Sequence, residues 1–386
     1  MRDLPACIDQ EKLTSPSSLG AFNRIVPRAR FLEILYKNLA PDAQARILTN
    51  KKLSNIAVTE TGVEVTCSDG SVHAGTIVLG ADGAHSKTRQ LMRDLALTQP
   101  GPYQLLPHQL NPERPWKATY RAVWCAIPTP DGFELNRGFE THGTGAALQL
   151  FSTPSSSFLF IYEKIPADHR TTTTRYTDAD IQAMCDRWAH LPLGHISNVG
   201  EVLKTRTRAG MVDLDEGVLP RWSWGGRVVL AGDACHKMTP NFGFGFNNGA
   251  SDAVTLVNEL RRLLVAPTDV GGEQRRPLPP SRQELDDAFA RYQAARDGPV
   301  RYEYDMSATK IQMSAWPSAF FWLVDRYVVG NIPGFYAFST TMLAKNMALS
   351  PVLDFVEHEE PFAPGKIAWA HAMPAPRAGA GTGNYR

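Results

Sequence analysis

Periodicity divides the chain into blocks. Val26-Pro27-Arg28 opens a helix with proline in its first turn, and Phe31, Leu32, Leu35 and Leu39 recur on one face of it. The residues before it show no period and read as a loop. Gly62 to Cys67 alternates apolar and polar, Asp69-Gly70 turns, and Ser71 to Ala74 returns, which predicts a hairpin. Thr76-Ile77-Val78-Leu79 is a short apolar run of the kind buried on both faces. Strand-like alternation resumes over Ala118–Ile127, Leu148–Leu150 and Ser157–Tyr162, and again over Val202–Val212, with a helix over Tyr176–Leu191 between them. Val228-Val229-Leu230 is a second buried strand. Ala253, Leu256, Val257, Leu260 and Leu264 then mark a helix, and Leu285–Asp297 marks another with Phe289 and Tyr292 on its apolar side.

Strands followed by helices at one end, with a run of antiparallel pattern in the middle, predict a mixed α/β protein. At 386 residues the chain is long enough to divide into two domains. The formal net charge is +1 and no basic cluster stands out, so nothing points to nucleic acid. Five cysteines lie scattered without a Cys-x-x-Cys pair and read as reduced packing residues. The amino terminus lacks an apolar signal core and the chain lacks an Asn-x-Ser/Thr sequon, so the expectation is a cytoplasmic enzyme. Tyr327 to Ala344 is uncharged but interrupted by Gly330, Asn331, Pro333 and Gly334, too broken for a spanning helix of about 20 apolar residues. With Trp316, Phe320, Phe321 and Trp322 it forms an aromatic region that we expect to be a buried helical cap, with peripheral membrane contact as the second reading.

The chemistry is concentrated in Arg227 to Asp252. A strand ends at Gly232-Asp233, which puts a carboxylate where ligands of open α/β sheets bind. Pro240, Gly243, Gly245 and Gly249 then form a turn that lets a flat ring approach backbone N–H groups, and the helix that follows offers uncompensated donors at its N-terminus. Gly80-Ala81-Asp82-Gly83, continuing through Ser86 to Arg89, repeats the arrangement at the end of the earlier strand. Strand, carboxylate, turn and helix also occur as plain α/β punctuation, with Asp82 and Ser86 acting only as caps. Two such strings about 150 residues apart are more specific than either alone. There is no Gly-x-Ser-x-Gly elbow or His-Glu-x-x-His, and His236 has no partner at metal-ligand spacing. Trp222 and Trp224 abut the strand into Asp233 and read as packing residues.

At these residues the sequence resembles the FAD-dependent aromatic-hydroxylase (group A monooxygenase) family. Gly80-Ala-Asp-Gly-Ala-His-Ser-Lys-Thr-Arg89 is similar to that family's Gly-Ala-Asp-Gly-x-x-Ser-x-x-Arg fingerprint, and Gly232-Asp233 to its motif around the FAD ribityl chain. His236 to Asn241 resembles the fungal branch that contains epoxidases of indole-diterpene and meroterpenoid pathways. Phe244, Phe246 and Ser251 depart from that branch, which has Gln, a small residue and Glu there.

The resemblance implies a Rossmann-like FAD-binding fold with a mixed or antiparallel substrate-domain sheet. It implies FAD held by Arg28, Asp82, Gly83, Arg89, Gly232, Asp233, Pro240, Gly243, Gly245, Phe246 and Asn247, with NAD(P)H and O₂ as co-substrates. Tyr120 and Arg121 are the candidates for orienting a small lipophilic substrate, such as a prenylated or terpenoid intermediate, for epoxidation or hydroxylation. The alternatives are a non-catalytic flavoprotein remnant or auxiliary protein, or a flavin oxidase or dehydrogenase. The family opens with a strand, a Gly-x-Gly-x-x-Gly turn and a helix, and no such triplet precedes Arg28. We therefore expect an amino-terminally truncated fold, an incomplete version of a longer enzyme. The expected layout is a partial FAD domain (1–105), a substrate sheet (106–220), the Gly-Asp strand, loop and helix (221–265), a loop (266–284), a helical cap region (285–372) and a disordered tail (373–386).

Overall fold

The computed structural model describes residues 6–9, 16–20, 26–133, 138–153, 156–166, 175–194, 197–267, 273–275, 279–329, 331–332, 335–358 and 364–375. Parts of the expected loop at 266–284 and of the expected tail at 373–386 lie outside these residues. Within the former, Val265–Pro267 and Glu273–Arg275 pair as a short antiparallel hairpin.

The largest sheet has seven strands. Its body runs β7 (Gly138–Gly143), β8 (Ala146–Ser152), β9 (Ser157–Lys164), β6 (Lys117–Ile127) and β10 (Arg208–Val218), all antiparallel. β1 (Ala6–Asp9) adds to the β7 edge, so part of the region expected to be a loop is a strand, and the short strand His236–Lys237 adds to the β10 edge. The strand expected over Val202–Val212 starts only at Arg208, because Asn198 caps a short helix over Val199–Leu203. β2 (Leu53–Val58), β3 (Val63–Cys67) and β4 (Val72–Gly75) form the predicted hairpin with one strand added. A third sheet joins β5 (Val78–Gly80) in parallel to β12 (Val228–Leu230), with β11 (Ser223–Trp224) antiparallel on the far side.

Each face of the large sheet has its own core. On one face Val123, Cys125, Leu148, Leu159 and Ile161 meet Ile181, Met184 and Cys185 of the Asp178–Trp188 helix. On the other, Tyr120, Ala122, Ala147, Tyr162 and Leu214 meet Ile311 and Ala315. These last two belong to the helix predicted over Leu285–Asp297, which runs much further, from Arg282 to Ala315. Ser281 and Glu284 start it with reciprocal side-chain-to-backbone bonds of 3.2 and 2.8 Å. It continues through Pro299 and at about 1.5 Å per residue reaches roughly 50 Å, enough to bridge both halves of the molecule. Phe289 and Tyr292 pack it on Trp222, Val228 and Leu230 near its start, each ring contributing about 1.5–3 kcal/mol of burial. Trp222 and Trp224 are buried packing residues, as their position suggested, and Cys67, Cys125, Cys185 and Cys235 are buried free thiols.

One apolar face lies largely open, and one expectation about packing fails. The apolar face of the Arg28–Lys37 helix has Leu32 54% exposed and Leu35 47%, and Phe31 is the residue of it that meets another ring, that of Phe246. The aromatic region after Ala315 is helical but not a buried cap, since Phe320 and Phe338 are 67% and 65% exposed, although Trp316 is inside. Periodicity shows that a helix has an apolar side; it does not show what that side meets. Among the described residues, no helix is long and apolar enough to cross a membrane.

Candidate functional site

The parallel pairing of β5 with β12 sets Val78, Leu79 and Gly80 beside Val228, Val229 and Leu230, and Ala231 N donates to Gly80 O at 3.0 Å. Asp82 and Asp233 therefore follow the same ends of neighbouring strands. Gly83 turns the chain at φ +81°, in a conformation that favours glycine. The Asp82 carboxylate then accepts from Ser86 Oγ, Thr88 N (2.9 Å) and Thr88 Oγ1 (3.0 Å). Burial opposes its charge, but these hydrogen bonds outweigh it and lower the pKa. Ser86 caps the Lys87–Thr98 helix through Arg89 N. Arg89 lies over Trp116 and donates to Ala84 O (2.7 Å) and Ala234 O (3.0 Å), lacing the two strand ends together. Next to Asp82 an open cavity of about 750 Å³ is lined by Lys51, Lys52, His85 and Lys87, among others.

The second strand end is built differently. Gly232, at φ +61°, lies against Gly249, where an added Cβ would come 3.8 Å from the Gly232 Cα. Asp233 projects from this close crossing and is exposed. His236 is not isolated, contrary to its sequence context: its Nε2 lies 2.6 Å from Asp252 Oδ2, which also accepts from Gly232 N (2.8 Å). Arg296 donates to Asp252 Oδ1 at 2.9 Å and to Asn248 at 2.7 Å. Burial penalises the Asp252 charge, but His236 and Arg296 overcome this and lower its pKa. Cys235, His236 and Asp252 bring three ligand-type atoms within 4.8 Å of one another. Three donors already engage the carboxylate, and burial raises the Cys235 thiol pKa well above its ordinary value. The cluster is accordingly a polar staple between strand and helix. An aspartate in the interior of an amphipathic helix, one turn after Asn248, was the available signal for it.

After β12 the chain turns through Pro240–Phe242 into Gly243, at φ +73°, and enters the 21-residue helix Phe244–Leu264. No side chain caps that helix and its first turn holds no acidic residue. A Cβ added at Gly243 or Gly245 would meet nothing within 4 Å, so the first turn is open on that side. Phe244 turns inward and stacks on Phe242 at 5.1 Å, whereas Phe246 turns outward and meets Phe31 edge-on at 4.7 Å. Asn247 is exposed. Arg28, one turn before Phe31, is exposed and makes no hydrogen bond or ion pair among the described residues.

Tyr120 and Arg121 cannot both orient one substrate. As successive residues of a strand they face opposite ways. Tyr120 lies on the sheet face that meets the long helix. Arg121 lies on the other face, pairing with Glu163 (Nε–Oε2 2.7 Å), which also accepts from Arg187 and Trp188. It is a structural ion pair. The sequence reading also missed Glu140 and His142, two residues apart on β7 and both buried; charged groups alternating on an interior strand were the signal.

A family model described as "FAD binding domain" matches residues 10–268. The chain is 31% identical over 365 residues to the FAD-dependent monooxygenase DEP2 of Alternaria brassicicola, covering 92% of this chain and 65% of that protein. It is 28% identical to the FAD-dependent monooxygenase atmM of Aspergillus flavus, covering 90% and 70%. The chain thus spans about two thirds of the length of these relatives, and 46% of a DEP2 from Fusarium langsethiae. Among solved structures, a point variant of HpxO of Klebsiella pneumoniae with FAD superimposes with a TM-score of 0.59 at 18% identity, covering 83% of this chain and 74% of that one. A salicylate hydroxylase complex gives 0.55 at 17%, covering 84% and 76%. The shared fold is that of the FAD-dependent aromatic hydroxylases.

Proposed function

We propose a function from one premise: this chain belongs to the FAD binding domain family. The proposed activity is monooxygenation, with NAD(P)H as reductant and O₂ as oxidant, placing one oxygen on a small lipophilic substrate by epoxidation or hydroxylation. The observation that carries this reading is an exposed carboxylate, Asp233, beside the crossing of Gly232 on Gly249, within the uncapped, glycine-opened start of the Phe244–Leu264 helix. These residues fit a flavin. The carboxylate suits the hydroxyls of a ribityl chain, and the open first turn admits a flat ring edge to its N–H donors.

When bound and reduced, the flavin supplies the means to activate O₂ so that one atom passes to substrate and the other leaves as water. The chain's part is to bind, orient and keep dry. Asp233 would accept hydrogen bonds from the polyol, and the N–H groups of Gly245, Phe246 and Asn247 would stabilise negative charge on the reduced ring. Arg89 keeps the two strand ends at a fixed spacing. The sheet face carrying Tyr120, Ala122, Ala147 and Leu214 is closed by Ile311 and Ala315 of the long helix, a packed apolar layer that supports the exclusion of water. The relatives' names specify monooxygenases and no substrate, so the class of acceptor rests on the resemblance of His236 to Asn241 to the fungal branch.

The test is to purify the protein with FAD, record its visible spectrum, and follow ¹⁸O from ¹⁸O₂ into the product while NADPH is consumed. Colourless protein that FAD cannot reconstitute would overturn the reading. Substrate-dependent H₂O₂ release without ¹⁸O incorporation would replace it with an oxidase. The exposed Phe320, Leu323, Tyr327 and Phe338 also support peripheral contact with a lipid surface, where apolar partners are delivered. Co-sedimentation with phosphatidylcholine vesicles, lost in Phe320→Ser/Phe338→Ser, is the expected result.

A further inference from the structure

A buried polar cluster lies between the large sheet and the aromatic segment. Glu140 and His142 project from β7, where both are 2% exposed. His142 Nδ1 lies 2.8 Å from Asp325 Oδ2, on the π-helical turn Val324–Val329, and His142 Nε2 lies 3.2 Å from Glu140 Oε2. Lys310, on the long helix, donates to the same Glu140 oxygen. Trp316 Nε1 donates to Asp325 at 2.8 Å. Trp316 ends the long helix in a left-handed conformation, φ +37°, which a side chain of this size adopts only under constraint. Gly145, in the β7–β8 turn, donates its N–H to Ala315 O at 2.8 Å and fixes that helix end to the sheet.

The cluster does not stop there. Gln149, opposite Glu140 on β8, donates through its Nε2 to Glu140 Oε1 (2.6 Å) and to the backbone oxygen of Asn241 (2.8 Å). Its own Oε1 accepts from Tyr162 at 2.8 Å, which fixes the orientation of the amide. Asn241 sits between Pro240 and Phe242, in the turn that opens onto Gly243, and its side chain donates to Ser307 O on the long helix. An unbroken series of hydrogen bonds therefore links the segment around Trp316 and Asp325 to the turn that leads into the first turn of the Phe244 helix.

We propose that Gln149 is a positioning residue that transmits the state of the Glu140–His142–Asp325–Lys310 cluster to the Pro240–Asn241 turn, so that seating of the aromatic segment and seating of the flavin are coupled. The inference rests on reading the Gly243 turn as the flavin seat. Its physical basis is the low-dielectric setting. Loss of the imidazole proton removes a positive charge from between the Glu140 and Asp325 carboxylates inside the protein. Burial disfavours the imidazolium, yet the bonds to Asp325 and Glu140 overcome that and raise the His142 pKa, while Lys310 across the cluster works against them. Glu140, despite complete burial, is held below the usual carboxylate range by Lys310 and His142. Tyr162, from β9, is pushed above its ordinary range by burial and by Glu140, and stays a neutral donor to Gln149. Deprotonation at His142 therefore shifts the charge felt by Glu140, and Gln149 is a side chain bonded to both Glu140 and the Asn241 carbonyl.

The test reads the turn directly. Asn241-Phe242 is the sole Asn-Phe step in the chain, so ¹³C-carbonyl-asparagine and ¹⁵N-phenylalanine labelling yields one signal, that of the Asn241 carbonyl. The His142 ring signal is assigned by its loss in His142→Gln. The expected result is that the Asn241 carbonyl shift titrates with the midpoint of the His142 ring. In Asp325→Asn both midpoints fall together by about one pH unit or more, the usual effect of losing an opposite charge. In Gln149→Leu, His142 still titrates and the Asn241 response is lost. An Asn241 signal that stays constant through the His142 titration, or that moves as before in Gln149→Leu, overturns the proposal; a purely structural role would lower stability and leave these responses unlinked. Adding FAD to the same samples separates the two readings. Failure of FAD to bind counts against the flavin seat and leaves the hydrogen-bond relay measured.

Discussion

Two carboxylates end two neighbouring parallel strands, and they do different work. Asp82 turns back on its own backbone, holding Ser86 and Thr88 and with them the start of the Lys87–Thr98 helix. Asp233 stands free at the other end, because Asp252 has taken over the corresponding task of holding Gly232 N. The difference teaches that a strand-end acid is available to a ligand only where another group satisfies the local backbone. The two strings read alike in one dimension, and the third carboxylate, drawn in from the following helix, separates them.

The largest effect is expected where that substitution of roles is undone. Asp252→Ala leaves Arg296, His236 and Gly232 N without their buried acceptor, and urea unfolding should show a loss of about 3–5 kcal/mol. Asp233→Ala should leave the urea midpoint within about 0.5 kcal/mol of the wild type. Its FAD affinity should nevertheless fall about 10- to 100-fold by fluorescence quenching, the effect of losing about 1.5–3 kcal/mol of charge-assisted hydrogen bonding. A drop in stability with unchanged affinity would reverse the roles assigned to the two acids.

Asp82→Asn should do the opposite, costing about 1–2 kcal/mol of stability through the weakened helix start, with a smaller effect on FAD. The sign of its pH dependence follows from the lowered folded-state pKa. The Asp82 contribution is present above the unfolded pKa of about 3.9 and is lost as pH falls through the lower folded value. Acid titration of stability should therefore flatten in Asp82→Asn over that range. The smallest effect is expected between the Arg28–Lys37 helix and the glycine turn. Phe31→Ala should cost about 0.5–1.5 kcal/mol from the edge-on ring pair with Phe246, and the double variant Phe31→Ala/Phe246→Ala should cost less than the sum of the singles.

The sequence by itself determined the local grammar of this protein. Val78 and Val228 lie in short strands, although only the second is buried throughout and Leu79 is 47% exposed; glycine and aspartate follow each strand, and a helix follows each turn, because strand pattern, positive-φ glycines and helix starts depend on neighbours a few residues apart. For the same reason the order of the two strings sufficed to indicate the family. What only the tertiary structure decided is which of these groups has partners. Asp82 is occupied and Asp233 exposed, and Arg121 faces away from Tyr120 into an ion pair with Glu163. His236 finds Asp252 16 residues further on. The apolar stripe of the Arg28–Lys37 helix lies open, and Gln149 joins Glu140 to a turn 92 residues away. A side chain's charge and availability depend on what folding brings within about 3 Å of it, and residues that meet across such separations leave no period in the chain to announce the contact.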